Sequence, residues 1–99
     1  MTRHKMRPVS PGEVLRKQLD ELGMSANALA AALHVPTNRI TGILNTTRAL
    51  TPETALRLDR YFTGTTAQFW LNLQTSFDLR RAEVESGTAF REIRPRKAS

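Results

Sequence analysis

The chain predicts an all-α domain of five short helices, and three observations carry that expectation. Helix-start signals recur along it: Ser10-Pro11-Gly12-Glu13, Ser25, Thr51-Pro52-Glu53 and Thr65-x-x-Gln68. Each supplies a hydroxyl that can accept from the otherwise unpaired amides of a first turn. Between these signals the apolar residues recur at three- and four-residue spacing, and no segment alternates as a strand does. At 99 residues, 39% hydrophobic and 24% charged, the chain suits one small globular domain and has no room for a second.

The first helix begins at the capping box, with proline in the first turn where its missing N–H costs nothing, and ends at Gly23. Val14, Leu15, Leu19 and Leu22 form its inner side, and Arg16, Lys17, Asp20 and Glu21 its outer side. Ser25 caps the second, Ala26 to Leu33, whose five alanines let a neighbouring backbone come close. The third spans about Thr37 to Asn45, after Val35-Pro36. The loop from Thr46 to Leu50 leads to the fourth, about Pro52 to Phe62, with Ala55, Leu56, Leu58 and Phe62 inward. Thr65-x-x-Gln68 announces the fifth, from Thr66 to about Glu85, with Gly87 as its stop. The expected organisation is a basic segment over 1–8, the helical domain over 9–86 and a basic tail over 87–99, both ends flexible.

The net charge of +6 comes from 15 basic against 9 acidic residues. Its placement matters more than its size. Arg3, Lys5 and Arg7 lie in the first eight residues, and Arg91, Arg94, Arg96 and Lys97 in the last nine against Glu92 alone. Residues 9–90 are therefore neutral. Within them residues 34–52 hold Arg39 and Arg48 and no acid, which suits a surface that meets phosphate.

The absence of cysteine excludes a disulfide framework, a thiolate metal site and a cysteine nucleophile. The two histidines, His4 in a tail and His34 in a turn, pair with no carboxylate on one helix face, and the glycines form no phosphate cradle. No enzyme, cofactor or metal is expected. The basic start has no apolar run behind it, and no stretch approaches the ~20 apolar residues of a membrane span. A cytoplasmic, nucleoid-associated protein without a membrane partner is expected.

From Ala26 to Ile43 the residues fit two helices joined by a short turn, the second presented to a DNA groove. Leu29, Val35, Ile40 and Ile43 are the positions that pack the pair together, and Ala30 marks their crossing. With Ile40, Ile43 and Leu44 inward, Thr37, Asn38, Arg39, Thr41, Gly42 and Asn45 face solvent. Asparagine can pair with adenine and arginine with guanine in the major groove. Thr37, Asn38, Arg39 and Thr41 are therefore the expected base contacts. Asn27, Asn45, Thr47 and Arg48 are the expected phosphate contacts.

The unit resembles the Xre/Cro-type repressor helix-turn-helix, a five-helix domain. Four further features resemble the narrower HigA-type antitoxins: Pro11-Gly12-Glu13, the Arg48-Ala49-Leu50-Thr51 loop, the Ala55-Leu56-Arg57-Leu58 run, and Phe69-Trp70-Leu71-Asn72-Leu73-Gln74 followed by Asp78-Leu79-Arg80-Arg81. The resemblance covers about residues 9–83. It implies a dimer that represses its own operon by binding operator DNA and neutralises a toxin, encoded by an adjacent gene, that cleaves messenger RNA on the ribosome. A stand-alone repressor would share the same groove-facing residues, and an interaction protein that has lost DNA binding is the third reading.

Two positions depart from the family pattern. His34 stands where the turn usually has glycine, at a position that asks for positive φ. Gly42 lies within the reading helix, where it either lets DNA approach closely or leaves one base contact absent. The fifth helix carries a stripe including Phe69, Trp70, Leu73 and Phe77, read either as core or as a dimer interface formed by Trp70, Leu73, Gln74 and Phe77. Two half-sites ~34–36 Å apart require a dimer. The first helix lies away from the reading unit, so its Arg16 and Lys17 are the expected toxin contacts.

Overall fold

A computed structural model describes residues 8–97. Its elements are α1 (Pro11–Leu22), α2 (Ala26–Leu33), α3 (Thr37–Leu44), α4 (Pro52–Tyr61) and α5 (Ala67–Arg91). All the described elements are helices, as the sequence predicts. The expected segment over 1–8 lies outside the described residues except for Pro8.

The capping hydroxyls set the starts. Ser10, Ser25, Thr51 and Thr66 each accept from the amide three residues on. The α5 cap is thus Thr66 rather than Thr65, because the Thr65 hydroxyl is taken by the indole Nε1 of Trp70 at 2.9 Å. Gly23 closes α1 in the left-handed region at φ 64°.

One core joins all five helices: Leu15 and Leu19 of α1, Leu29, Ala30 and Leu33 of α2, Ile40 and Ile43 of α3, Ala55 and Leu58 of α4, and Trp70 of α5, with Leu50 and Phe62 from the connections. Trp70 is fully buried. Truncating such a residue to alanine typically costs about 3–5 kcal/mol, so the indole is a principal anchor of α5. Two apolar residues expected inside are not there: Leu22 is 57% exposed and Leu56 62% exposed. Leu22 ends α1 just before the chain turns away at Gly23, and α4 points Ala55 and Leu58 inward, which leaves Leu56 between them on the outer side.

Gly87 does not stop α5. The helix kinks at Ser86 (φ −137°, ψ 17°) and continues to Arg91. Beyond Phe77 it runs largely clear of the other helices, with Leu79, Val84, Phe90 and then Ile93 exposed. This overhang stretches the molecule to 51 × 29 × 25 Å.

Candidate nucleic-acid interface

The α2–α3 unit is built by apolar contact and fixed by its turn. Leu29, Ala30, Ile40 and Ile43 are buried where the two helices meet, and Val35 packs against them half-buried. His34 ends α2 at φ 61° and ψ 46°, as expected of the glycine-like position. Its amide donates to Ala31 O, and the Val35 amide to Ala30 O, so the turn satisfies two carbonyls left over at the end of α2. Pro36 then starts α3 without a side-chain cap.

On α3 the expected outward residues divide into two groups. Thr37, Asn38 and Asn45 are exposed and Thr41 is half-exposed, forming the open face. Arg39 lies on the flank towards α4. Its Nη1 donates to Glu53 Oε1 at 2.7 Å, and its side chain keeps 28% of its surface exposed. Arg57 grips the other Glu53 oxygen through Nε at 2.9 Å and Nη2 at 2.7 Å, and its Nη1 reaches the Leu33 carbonyl at 2.8 Å. The Arg57 hydrogen bond foremost, joined by the charge of Arg57 and by the hydrogen bond and charge of Arg39, holds the Glu53 carboxyl below its ordinary value, against an opposing desolvation effect second only to that first bond. The acid-free stretch 34–52 therefore has an acid at its edge in space.

Gly42 also has a role within the fold itself. Its carbonyl accepts from the amides of Thr47 and Arg48 at 2.9 and 3.1 Å and from Thr47 Oγ1 at 3.3 Å. A Cβ there would lie 3.0 Å from Arg48 Cβ. The glycine lets the α3–α4 loop fold back onto the helix, which sets Thr47 and Arg48, both exposed, beside the open face.

The N-terminal end of α1 clamps the other end of α3. A Cβ on Gly12 would collide with the Ile43 carbonyl and stand 2.9 Å from that of Leu44. Thr46, in the left-handed region at φ 61°, bonds its hydroxyl to Ser10 Oγ at 3.1 Å. Arg16 Nη2 donates to Asn45 Oδ1 at 3.3 Å. Arg16, expected on a separate protein-binding side, thus stands beside a predicted phosphate contact, because the close α1–α3 contact at Gly12 turns that face of α1 towards the reading unit. Lys17 is exposed next to it, and Asn27 is exposed in the first turn of α2.

The α5 residues expected at a dimer interface lie mostly inside the chain. Trp70 is core. Gln74 Oε1 accepts from the Leu50 amide at 2.8 Å, and Phe77 is buried with Arg81 5.3 Å over its ring. Only Leu73 is a half-buried apolar residue. Sequence reading missed the Arg39–Glu53–Arg57 network. Glu53 and Arg57 at i, i+4 were a readable signal. Arg39 and Glu53, fourteen residues apart and joined only by folding, were not. Among the described residues no group of histidine, aspartate or glutamate side chains could hold a metal ion, and no helix is long and apolar enough to cross a membrane.

The helix-turn-helix family model HTH_3 matches residues 15–69. Virulence-associated protein I of Dichelobacter nodosus is 51% identical over 84 residues, which cover 84% of this chain and 77% of that protein. The structure of a HigA-family addiction module antidote protein from Coxiella burnetii is 49% identical with a TM-score of 0.87, covering 92% of this chain and 100% of that one. The Pseudomonas aeruginosa antitoxin HigA, solved with the higBA promoter, is 41% identical with a TM-score of 0.84, covering 90% and 98%.

Proposed function

The chain belongs to the helix-turn-helix family and, within it, to the HigA-type antitoxins, and from that premise we propose that it is the antitoxin of a toxin–antitoxin pair. It binds its own operator through the major groove as a dimer, represses its operon, and neutralises a toxin that cleaves messenger RNA. Its place of action is the cytoplasm, on the nucleoid. The family binds DNA and is not enzymatic.

The observation that carries the DNA reading is the acid-free open face of α3. Asn38, Thr41 and Asn45 present short hydrogen-bonding groups there, with Arg39 on one flank and Thr47, Arg48 and Arg16 beside it. Short polar side chains at the start of a helix read base edges, while flanking arginines neutralise phosphate. Thr37, Asn38, Arg39 and Thr41 are assigned to bases, and Asn27, Asn45, Thr47 and Arg48 to the backbone. Arg16 joins the second group.

Dimerisation is assigned to the overhang beyond Phe77, where Leu79, Val84 and Phe90 of α5 and Ile93 just after it are exposed. Isolated apolar residues are normal on a surface, but several on one projecting helix suit burial against a second copy. Toxin binding follows from the family, with Lys17 of α1 as the exposed candidate contact.

A gel shift on the chain's own upstream region tests repression, and co-expression with the product of the adjacent open reading frame tests neutralisation. Co-purification with relief of growth arrest is the expected result. Specific DNA binding with neither would establish the stand-alone repressor instead.

A further inference from the structure

A long arginine reads a base at lower cost when its head is already held, since a free guanidinium spreads over many rotamers and loses that freedom on binding. In this chain the holding group is visible. One Glu53 oxygen takes Arg39 at 2.7 Å, and the other takes two donors of Arg57. Arg57 is itself tied to the Leu33 carbonyl, the residue before the turn. A continuous chain of charge-assisted bonds therefore runs from the end of α2, across the first turn of α4, to the first turn of α3.

Stability does not account for this arrangement, because ion pairs on a carboxylate with 57% of its side chain exposed contribute little. Binding in general does not account for it either. A fixed carboxylate beside a phosphate-facing surface opposes every duplex alike, whatever its sequence. What the carboxylate does favour is one position of Arg39. The bond uses one of five guanidinium N–H groups and leaves others for the O6 and N7 acceptors of a guanine.

Resting on the DNA-reading assignment above, we infer that Glu53 is a positioning residue for sequence readout: it holds the Arg39 guanidinium at the edge of the α3 reading face and is itself anchored to the turn through Arg57. A first-turn acid that merely complements the dipole of α4 would need neither arginine and would have no link to DNA sequence.

The test compares four full-length chains: the parent, Glu53→Gln, Arg39→Ala and the double variant. Each is titrated at one salt concentration against a duplex of the chain's own upstream region and a scrambled duplex of the same composition. Glutamine keeps the shape and an acceptor oxygen but loses the charge. Glu53→Gln should weaken the upstream duplex about tenfold while leaving the scrambled one unchanged or slightly tighter. In the Arg39→Ala background the same substitution should no longer alter the preference between duplexes, as expected of two residues acting through one contact. Arg57→Lys, which keeps the charge and loses the fork, should lower the preference in the same direction. Unchanged preference in Glu53→Gln, or an equal loss in both backgrounds, overturns the inference. A parent chain that binds both duplexes alike overturns the DNA-reading assignment itself, and is recognised without any variant.

Discussion

His34 holds a left-handed backbone at φ 61° that its Cβ makes costly, so relief of that strain is directly measurable. His34→Gly should raise stability by up to about 1 kcal/mol, part of the gain being offset by the freer unfolded chain. Thermal unfolding reads it as a few degrees. On the reading face, Arg39→Ala should cost about 1–3 kcal/mol on the operator and flatten the preference among sites, whereas Arg48→Ala should weaken all duplexes alike and lower the salt slope by about one. Equal losses for Arg39→Ala on operator and random DNA would remove it from readout. The lowered Glu53 carboxyl sets a pH window as well. Its network is fully present above the ordinary carboxylate range and is lost only as the pH falls through the depressed value, so the effect of Glu53→Gln on site preference should be the same at about pH 6 and pH 8, both above that range. At this scale the sequence was informative wherever a residue type answers a local backbone demand, as at His34. It was silent on Arg39, whose partner is set by the packing of α4 against the turn, and on Gly42, whose neighbour is a loop that folds back.

Helix starts were legible because a hydroxyl three residues before an amide is a local device, and α2 was bounded by Ser25 and His34 as the structure has it. The exception, Thr66 for Thr65, arises because two adjacent threonines compete for one role and a distant ring decides between them. Inner faces were legible except at Leu22, where α1 ends, and at Leu56, which falls on the outer side in the middle of α4. Gly12 is an element-scale constraint that spacing could not reveal. It lets α1 touch the carbonyls that end α3, so Gly12→Ala should cost on the order of 1–3 kcal/mol or more and impair operator binding with it. A variant of parental stability would show that the two helices can part. The end of α5 was misjudged, since one glycine costs a helix only about 1 kcal/mol and a kink at Ser86 absorbs the local departure.

As a whole, the molecule is a compact five-helix body carrying an exposed, apolar overhang, and these parts bear different relations to sequence. The body was legible because its core is shared by every helix and one tryptophan closes it. The expected dimer residues include two that belong to the core, because periodicity marks an apolar stripe without saying whether the chain itself covers it. Trp70 and Phe77 are covered, whereas Leu79 and Val84 are not. Truncation after Phe77 should therefore leave the body folded and abolish a concentration-dependent association that sedimentation would detect in the full chain. The central claim is that this body reads one DNA sequence with α3. It is tested most directly by titrating the parent chain, at fixed physiological salt, against its own upstream duplex and a scrambled duplex of equal composition. Tighter binding to the upstream duplex by about a thousandfold or more is the predicted result, and equal affinity for the two would contradict it.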